Sequence, residues 1–330
     1  MKYSEIIQVL SPELQALNEL MAGALHTSTP LMNEIVETYL RTKGKQIRPV
    51  MVLLCARLFG PVNETVNETV NENVLHAAAS LEMLHNASLI HDDVIDETKR
   101  RRGTDTLNAL WDNHIAVLTG DFFVSAALEQ ATATGSLAIV RSMSELGKEL
   151  SLGEIHQICN ARDRHFRMDE YFTAIEKKTA SLFVKCAYVG AEAAGIPAWQ
   201  TAPLLEFARL LGLCFQIKDD IFDYFPPEKI GKPTGNDLRE GKVTLPLLHA
   251  LSTSPRAEEM KQMLASAELT DEQIAALVEF AREAGGIEYS YSQMERMHTR
   301  ASQILCEAYP DSPARKALLD LFTFIIKRDI

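Results

Sequence analysis

Residues 81–96 read Leu-Glu-Met-Leu-His-Asn-Ala-Ser-Leu-Ile-His-Asp-Asp-Val-Ile-Asp, an apolar stretch that ends in three aspartates. Steps of three and four residues place Leu81, Leu84, Ser88, Asp92 and Asp96 on one face of an α-helix. Aspartates beside an apolar run repel one another unless a cation lies between them. Carboxylates one helical turn apart can ligate Mg²⁺, so the stretch predicts a helix that carries a metal site.

Helical spacing also dominates the rest of the chain, and neither glycine nor proline interrupts residues 62–102. Strand-like alternation is nearly absent. We therefore predict an all-α fold of about a dozen helices in a single domain over residues 1–330, with the helices of 255–330 included. The further predicted helices are 50–58, 110–132, 137–160, 168–192, 204–225, 245–251, 271–284 and 289–308.

The composition excludes several classes of protein. The 330 residues are 46% hydrophobic, which excludes a disordered chain, and their formal net charge of −12 argues against nucleic-acid binding. Five scattered cysteines without a C-x-x-C spacing are typical of free thiols in a reduced cytoplasm. The N-terminus does not resemble a secretory signal, and no apolar run approaches the ~20 residues of a membrane span. We expect a cytoplasmic protein without a transmembrane segment.

A second acidic cluster repeats the pattern of the first. Residues 216–223 read Gln-Ile-Lys-Asp-Asp-Ile-Phe-Asp, again D-D-x-x-D on an apolar helix. One such cluster alone is typical of a solvated helix face. Two copies, with Asp92 and Asp219 as their first residues, predict two carboxylate walls that face one cavity, with metal ions between them.

Basic residues accompany both clusters. Lys45 and Arg48 precede a helix, where backbone amides also favour anions. The remaining cations follow the first cluster, belong to the segment 171–183, or lie in the glycine-rich loop after the second cluster: Arg101, Arg102, Lys178, Lys232 and Lys242. Each alone is typical of a solvated surface charge, but together with two metal-type clusters they predict binding of two phosphorylated groups.

These pieces resemble the trans-isoprenyl diphosphate synthases, or polyprenyl synthetases, in order over about residues 40–250. The matching segments are 44–49, 81–85, 89–103, Gly153-Glu154 with Gln157, 177–183, 215–224 and 231–246. Gln46, where many members carry a cation, and the additional Arg100 depart from the pattern. The resemblance implies an isoprenoid-synthase-type helical bundle around a deep central cavity, usually as a homodimer. It also implies head-to-tail condensation of isopentenyl diphosphate with an allylic diphosphate.

The resemblance further implies a role for each matching residue. Three Mg²⁺ ions are expected: Asp92 and Asp96 bind Mg²⁺ on the allylic diphosphate with Asp93 in support, and Asp219 binds a further ion with Asp220 and Asp223 in its outer shell. The residues expected to bind the allylic diphosphate are Arg101, Lys178, Thr179, Gln216, Lys232 and Lys242. Lys45, Arg48, His85 and Arg102 are expected to bind isopentenyl diphosphate. Thr179 and Gln216 are suited to stabilising the allylic cation, and the departing pyrophosphate takes the final proton by analogy with the family.

Product length is predicted from the helix before the first cluster, because one helical turn of ~5.4 Å matches about one isoprene unit. Ala87 and Ser88 lie one turn before Asp92 and are both small, which predicts a product longer than C20. Larger side chains further along the predicted cavity would then limit the product: Leu81, Met83, Leu84, Phe122 or Phe123. Each of these is equally compatible with an ordinary core residue. A transient contact of the protein with a membrane during release of such a product is compatible with this prediction.

Three alternatives remain at this point. The first is a short-chain farnesyl or geranylgeranyl diphosphate synthase. The second, a class I terpene cyclase, would leave Lys45, Arg48 and His85 without a second diphosphate to bind. The third, a non-catalytic subunit of a heteromeric synthase, commonly lacks one of the two aspartate clusters. The sequence assigns no role to the valine repeat of residues 62–74, and His91 fits a hydrogen-bonded structural histidine better than a metal ligand.

Overall fold

The computed structural model describes residues 2–41, 44–59, 71–101, 103–163, 167–225, 234–266 and 268–328, and only the backbone of 156–163. The first elements are α1 (Tyr3–Val9), α2 (Ser11–Ala24), α3 (Pro30–Arg41), α4 (Ile47–Arg57), α5 (Glu72–Ile95), β1 (Arg100–Arg101), β2 (Thr104–Asp105), α6 (Leu107–Leu110), α7 (Asn113–Ala133) and α8 (Leu137–Asp163). The later helices are α9 (Met168–Ile175), α10 (Ser181–Ala193), α11 (Ala202–Phe222), α12 (Asn236–Arg239), α13 (Leu245–Thr253), α14 (Ala257–Leu264), α15 (Asp271–Glu283), α16 (Gly286–Ala308) and α17 (Pro313–Lys327). A π-helical turn, Glu176–Ala180, and a 3₁₀ turn, Ala198–Gln200, complete the described elements.

The predicted all-α fold is confirmed. Strand pairing within the described residues is limited to the antiparallel β1–β2 hairpin, in which Arg100 pairs with Asp105 and Arg101 with Thr104. Most predicted helices recur with ends shifted by a few residues, and α4 begins at Ile47 with proline in its first turn. A proline there costs no backbone bond, because the first amides of a helix have no partner within it.

Two predicted helices differ from the structure. Of the helix predicted over 110–132, only Leu110 belongs to α6 and the rest follows in α7 from Asn113, because Asp112 caps α7 by accepting a hydrogen bond from the Ile115 amide at 2.8 Å. The region predicted over 168–192 is divided by the π turn between α9 and α10. Periodicity did not reveal either interruption, since both lie between helices of similar polarity.

The chain forms two compact units. The first comprises residues 1–148, 185–205 and 309–318, and the second comprises 149–184, 206–308 and 319–330. The single domain predicted over residues 1–330 stays a prediction.

Helix α4 lies at the centre of the first unit, with all residues from Pro49 to Ala56 buried, as expected for a helix that is apolar on every side. Helix α5 packs against α2, α4 and, most extensively, α7. The close approach of α5 and α7 needs a glycine, because a Cβ at Gly120 would lie 2.1 Å from His91 Nε2. The same His91 nitrogen lies 3.1 Å from the Val117 carbonyl, a contact of the kind that the structural interpretation of this histidine predicts.

The second unit has an apolar core of its own near its C-terminal helices. Side chains from α12 to α15 together with Tyr224 form this buried cluster. The Tyr224 hydroxyl lies 3.0 Å from Thr244 Oγ1, so the residue that follows the second aspartate cluster is anchored in this core.

Candidate active site

The first aspartate cluster lies at the C-terminal end of α5. Asp92 and Asp93 belong to the last turn, and the Asp96 amide donates to the Asp92 carbonyl at 2.8 Å just beyond it. The C-terminal end of a helix carries partial negative charge, which makes carboxylates there unfavourable without a cation. The sequence already indicated that these carboxylates need a cation nearby, and their position at a helix C-terminus is a second reason to expect one.

One of these carboxylates has a protein cation as its partner. Arg101, from the hairpin that follows α5, places Nε and Nη2 each 2.8 Å from Asp93 Oδ1. Burial lowers the pKa of the Arg101 guanidinium, but the hydrogen bond and charge of Asp93 outweigh that effect and raise the pKa overall. A cavity of about 50 Å³ adjoins the pair and is also lined by Tyr39 and Leu107. Arg100, the additional cation of the sequence, donates to the Gly103 carbonyl at 2.9 Å and so holds the hairpin turn.

The residues predicted to bind isopentenyl diphosphate belong to the first unit. Lys45 and Arg48 flank the start of α4, and His85 is a buried residue of α5. Between the two cations, Gln46 adopts a left-handed backbone with φ of 51°, which is uncommon for a residue other than glycine. Its side-chain amide donates to Asn18 Oδ1 at 3.0 Å, so this residue is tied to α2. Arg102 lies outside the described residues.

The second aspartate cluster also lies at a helix end. Asp219 and Asp220 belong to the last turn of α11, which ends at Phe222, and Asp223 follows it. Asp223 accepts hydrogen bonds from the backbone amides of Asn236 at 2.9 Å and Asp237 at 3.0 Å. The two clusters thus share a placement, at helix C-termini, that their sequences do not state.

A hydrogen-bonded chain of side chains connects the second cluster with the segment 171–180. Tyr171 donates to Asp220 Oδ2 at 2.6 Å, and Gln216 donates to Asp220 Oδ1 at 2.8 Å. Thr179 then donates to Gln216 Oε1 at 2.6 Å. Because its amide group bonds both neighbours, the side-chain orientation of Gln216 is determined by this chain.

Asp220 differs from an ordinary surface carboxylate. Burial raises the pKa of Asp220 to about 7, with a further rise from the charges of Asp219 and Asp223, while the hydrogen bonds from Tyr171 and Gln216 lower it. Burial, together with Asp220, holds the pKa of Tyr171 well above its ordinary value. Burial and the same acidic neighbours raise the pKa of Asp237 in the same way. Burial and the neighbouring carboxylates thus both favour the protonated forms of Asp220 and Asp237.

Lys178 and Thr179 lie in the π turn between α9 and α10. Such turns insert one residue into a helix and occur often at functional sites. The Lys178 ammonium pairs with Glu154 Oε2 at 2.7 Å, and the backbone of Lys178 lies against Gly153, whose ideal Cβ would be 3.7 Å from the Lys178 Cα. Gly153-Glu154 therefore sits beside the predicted diphosphate-binding lysine, although the sequence assigned it no role.

The C-terminal end of the described chain contributes a residue that sequence reasoning missed. Arg328 Nη2 forms an ion pair with Asp219 Oδ1 and donates to the Phe215 carbonyl at 3.2 Å. No local pattern indicates this contact, because 109 residues separate Arg328 from Asp219. Tyr171 and Glu154 were likewise missed as partners of the predicted site residues, since each is also distant in sequence.

The other predicted residues are placed as follows. Lys242 forms an ion pair with Glu240, and Lys232 lies outside the described residues. Met83, Leu84, Ala87 and Phe123 are buried, Ser88 is half-buried, and Phe122 is partly exposed. Most of the valine repeat falls outside the described residues as well. The structure thus brings Thr179, Gln216, Asp219 and Asp220 into one unit, and Asp92, Asp93, Arg101 and His85 into the other.

The donor chemistry around both clusters suits a hard divalent cation. Across the described ranges, no three His, Cys, Asp or Glu side chains converge on one point closely enough to hold a metal by themselves. Mg²⁺ commonly binds through one or two carboxylates together with substrate phosphates rather than in a complete protein cage. Paired carboxylates at a negatively charged helix end fit that mode of binding.

Comparison with known proteins identifies the family. The model of the family described as polyprenyl synthetase matches residues 29–281. The chain belongs to the polyprenyl synthetase family. Its members are prenyltransferases, and this family is known to use a divalent metal.

Individual polyprenyl synthetases match this chain over nearly its whole length. The heptaprenyl diphosphate synthase component 2 of Geobacillus stearothermophilus is 36% identical, covering 100% of both chains. The crystal structure of a decaprenyl diphosphate synthase from Rhodobacter capsulatus has a TM-score of 0.89 at 30% identity, covering 99% of each chain. The crystal structure of a geranylgeranyl pyrophosphate synthase from Bacteroides thetaiotaomicron has a TM-score of 0.82 at 36% identity and covers 98% of this chain and 100% of that one. The resemblance to a prenyltransferase family and the predicted type of fold are thereby confirmed.

The sequence predicts no transmembrane segment. Among the described helices, none is both long enough and apolar enough to cross a bilayer.

Proposed function

We propose that this polyprenyl synthetase condenses isopentenyl diphosphate head-to-tail onto an allylic diphosphate and releases an all-trans polyprenyl diphosphate longer than C20. The observation that carries the proposal is the pair of D-D-x-x-D clusters at the C-terminal ends of α5 and α11. The relatives named as heptaprenyl and decaprenyl synthases support the long-chain product.

Mg²⁺ is the proposed cofactor, with three ions expected from the family resemblance. Asp92 and Asp96 would hold the metal on the allylic diphosphate, and Asp219 would hold a further ion. When bound, the metal withdraws charge from the leaving diphosphate and so favours cleavage of the allylic C–O bond. Asp93, which accepts a hydrogen bond from Arg101, and Asp220, which accepts one from Tyr171, are proposed to support these ligands.

The chain's own residues have separate tasks in the proposed reaction. Arg101 and Lys178 bind the allylic diphosphate, with Lys232 and Lys242 from the following loop. Lys45, Arg48, His85 and Arg102 bind isopentenyl diphosphate. Thr179 and Gln216, fixed in orientation by their hydrogen bond, direct oxygen dipoles toward the allylic cation while the double bond attacks. The released pyrophosphate is proposed to take the final proton.

Product length is tested directly. The purified protein, expressed alone, is incubated with farnesyl diphosphate, labelled isopentenyl diphosphate and Mg²⁺, and the products are sized by chromatography. We expect products longer than C20. Extension that stops at C15 or C20 would contradict the long-chain proposal and favour the alternative represented by the geranylgeranyl synthase of similar structure.

The same assay separates the remaining alternatives. Cyclic hydrocarbon products would indicate a terpene cyclase. Activity only after addition of a second protein would indicate a subunit of a heteromeric synthase. The name of one relative, heptaprenyl diphosphate synthase component 2, is the reason to test this case. Both aspartate clusters are intact, which argues against a non-catalytic subunit.

A homodimer is also proposed. Apolar side chains of α7 are exposed in the single chain, with exposed fractions of 64% for Leu118 and 39% each for Val117 and Leu128. An apolar helix face of this kind is typical of a surface that another protein covers. Light scattering should give twice the mass of the chain, and Leu118→Arg should shift the protein toward monomer. A wild-type monomer would contradict this proposal.

A further inference from the structure

Arg328 is placed against the second aspartate cluster by more than one contact. Its guanidinium pairs with Asp219 and donates to the main-chain carbonyl of Phe215. The guanidinium carbon also lies 4.3 Å from the ring centre of Phe215 and 5.4 Å from that of Phe222. Only 8% of the Arg328 side chain is exposed, compared with 41% of Asp219. The arginine is therefore built into the protein, while the carboxylate remains accessible to solvent.

The surroundings of Arg328 suit a cation. Aromatic faces attract a positive charge, and the carboxylate of Asp219 together with the end of α11 supplies negative charge. A second cation, the Lys218 ammonium, lies 5.1 Å from the ring centre of Phe222. One polar atom of the guanidinium remains unsatisfied, since Arg328 Nε is buried without a hydrogen-bond partner. Such a group costs free energy, so this placement of Arg328 depends on the favourable contact with Asp219.

We propose that Arg328 is an internal counter-cation of Asp219, which neutralises the carboxylate in the metal-free protein and competes with the divalent cation for it. This inference rests on the proposed function, because Asp219 is a metal-binding residue only in that proposal. The physical reason is electrostatic. A guanidinium in contact with a carboxylate reduces the attraction of that carboxylate for Mg²⁺, and it repels the ion itself.

The contact between Arg328 and Asp219 also stabilises the metal-free protein. Three carboxylates at the end of α11 without any cation would repel one another and destabilise the last turn. With Arg328 in place, the cluster keeps its geometry until substrate and metal arrive together. The diphosphate then brings additional oxygen ligands, which compensate for the weaker contribution of Asp219.

The test measures metal binding rather than catalysis. Mn²⁺ alone is titrated into the substrate-free full-length protein, and free Mn²⁺ is measured by electron paramagnetic resonance. The component that depends on the second cluster is obtained by subtracting the binding of Asp219→Asn. We expect Arg328→Met to bind Mn²⁺ about five-fold more tightly than wild type in this component, because a unit charge adjacent to a partly exposed carboxylate is removed. Thermal unfolding without metal should also occur at a lower temperature in the variant.

The matched control is Lys327→Met, which removes the same formal charge from the neighbouring residue. We expect it to bind Mn²⁺ as wild type does, because that lysine is exposed and its charge is screened by solvent. Equal changes in the two variants would show a general effect of net charge and overturn the proposal. Unchanged or weaker Mn²⁺ binding by Arg328→Met would overturn it as well.

A second measurement serves if Arg328→Met does not fold. Wild-type protein labelled with ¹⁵N-arginine is titrated with Mg²⁺, and the guanidinium resonance that Arg328→Lys lacks is followed by nuclear magnetic resonance. We expect this resonance to shift with Mg²⁺ in wild type but not in Asp219→Asn, whereas an unchanged resonance would contradict competition. Prenyl transfer by wild type is measured in parallel. Its absence would count against the proposed function, while an active enzyme with metal binding independent of Arg328 would count against this inference alone.

Discussion

At the scale of single residues, several of the charged groups assigned to metal or substrate form ion pairs with opposite charges within the protein. These ion pairs are Asp93 with Arg101, Lys178 with Glu154, Asp219 with Arg328, and Lys242 with Glu240. An ion pair of this kind orients a side chain and reduces the cost of leaving its charge without a ligand. Binding of metal and diphosphate must then replace or share these contacts, rather than simply fill a site of bare charges.

Thr179 allows a residue-scale prediction. Thr179→Val removes the hydroxyl that donates to Gln216 at 2.6 Å, which releases the orientation of the Gln216 amide and removes an oxygen dipole near the allylic carbon. We expect kcat to fall by about 10²-fold with a smaller change in KM, because the lost interaction acts on the developing cation. Steady-state kinetics with farnesyl diphosphate provide the measurement.

Thr179→Ser serves as the control, since it keeps the hydroxyl and should retain most of kcat. Equal loss in both variants would indicate a packing effect of the threonine methyl group rather than a role of its hydroxyl.

At the scale of elements, the site depends on helix ends and on one irregular turn. The π turn of residues 176–180 presents Lys178 and Thr179, and α11 packs against it closely at Gly212. A Cβ at Gly212 would lie 2.6 Å from the Ala180 Cα. Backbone cannot move aside as a flexible side chain can, so this contact fixes the distance between the π turn and the second aspartate helix.

Gly212→Ala should therefore destabilise the protein although alanine favours helices. We expect a loss of about 2 kcal/mol in the free energy of unfolding, measured with urea, from overpacking against Ala180. Gly23→Ala, in α2, is the matched control because nothing lies within 4 Å of its ideal Cβ. It should be neutral or stabilise by up to ~1 kcal/mol. Equal stability of the two variants would mean that α11 adjusts freely.

A further prediction concerns product length and two residues of helix α5. Ser88→Phe, and Ala87→Phe where the buried site accepts it, should shorten the product, because an aromatic ring one turn before Asp92 blocks extension after about one isoprene unit. Product sizing is the measurement. Ser88→Ala removes the hydroxyl without adding bulk and should leave the length unchanged. Wild-type length in both phenylalanine variants would mean that the growing chain follows another path.

At the scale of the whole molecule, the net charge of −12 constrains how the protein can bind anionic substrates. An acidic protein that binds two diphosphates must concentrate positive charge locally. The ion pairs already commit part of the available cations to neighbouring carboxylates, so metal ions are needed to reverse the sign of the site.

Metal removal tests this balance. We expect farnesyl diphosphate to bind at least about ten-fold more weakly in EDTA than in Mg²⁺, because the unscreened aspartates repel it. Calorimetry without isopentenyl diphosphate measures the affinity under both conditions. The double variant Asp92→Asn, Asp96→Asn should lose most of the gain from Mg²⁺. Tight binding of the allylic substrate without metal would contradict the proposed arrangement.

Local patterns in the sequence were sufficient to predict the all-α class, the helix that carries the first aspartate cluster, and the family to which the chain belongs. Local periodicity and spacing suffice for these, since apolar steps and two copies of one short pattern are readable without any neighbour in space. The aspartates of both clusters are identifiable from that pattern alone. The helix ends could be placed only within a few residues, because caps and turns depend on local contacts that periodicity does not report.

The protein groups that contact the cluster carboxylates, by contrast, could be identified only in the folded chain. Tyr171 and Arg328 reach Asp220 and Asp219 from 49 and 109 residues away, and nothing in their local sequence indicates a partner. The π turn at 176–180 was hidden in the same way, because it packs against α11 at Gly212, a contact between segments distant in sequence. Short-range patterns specify which faces are apolar, whereas partners distant in sequence are selected by packing, which depends on all elements at once.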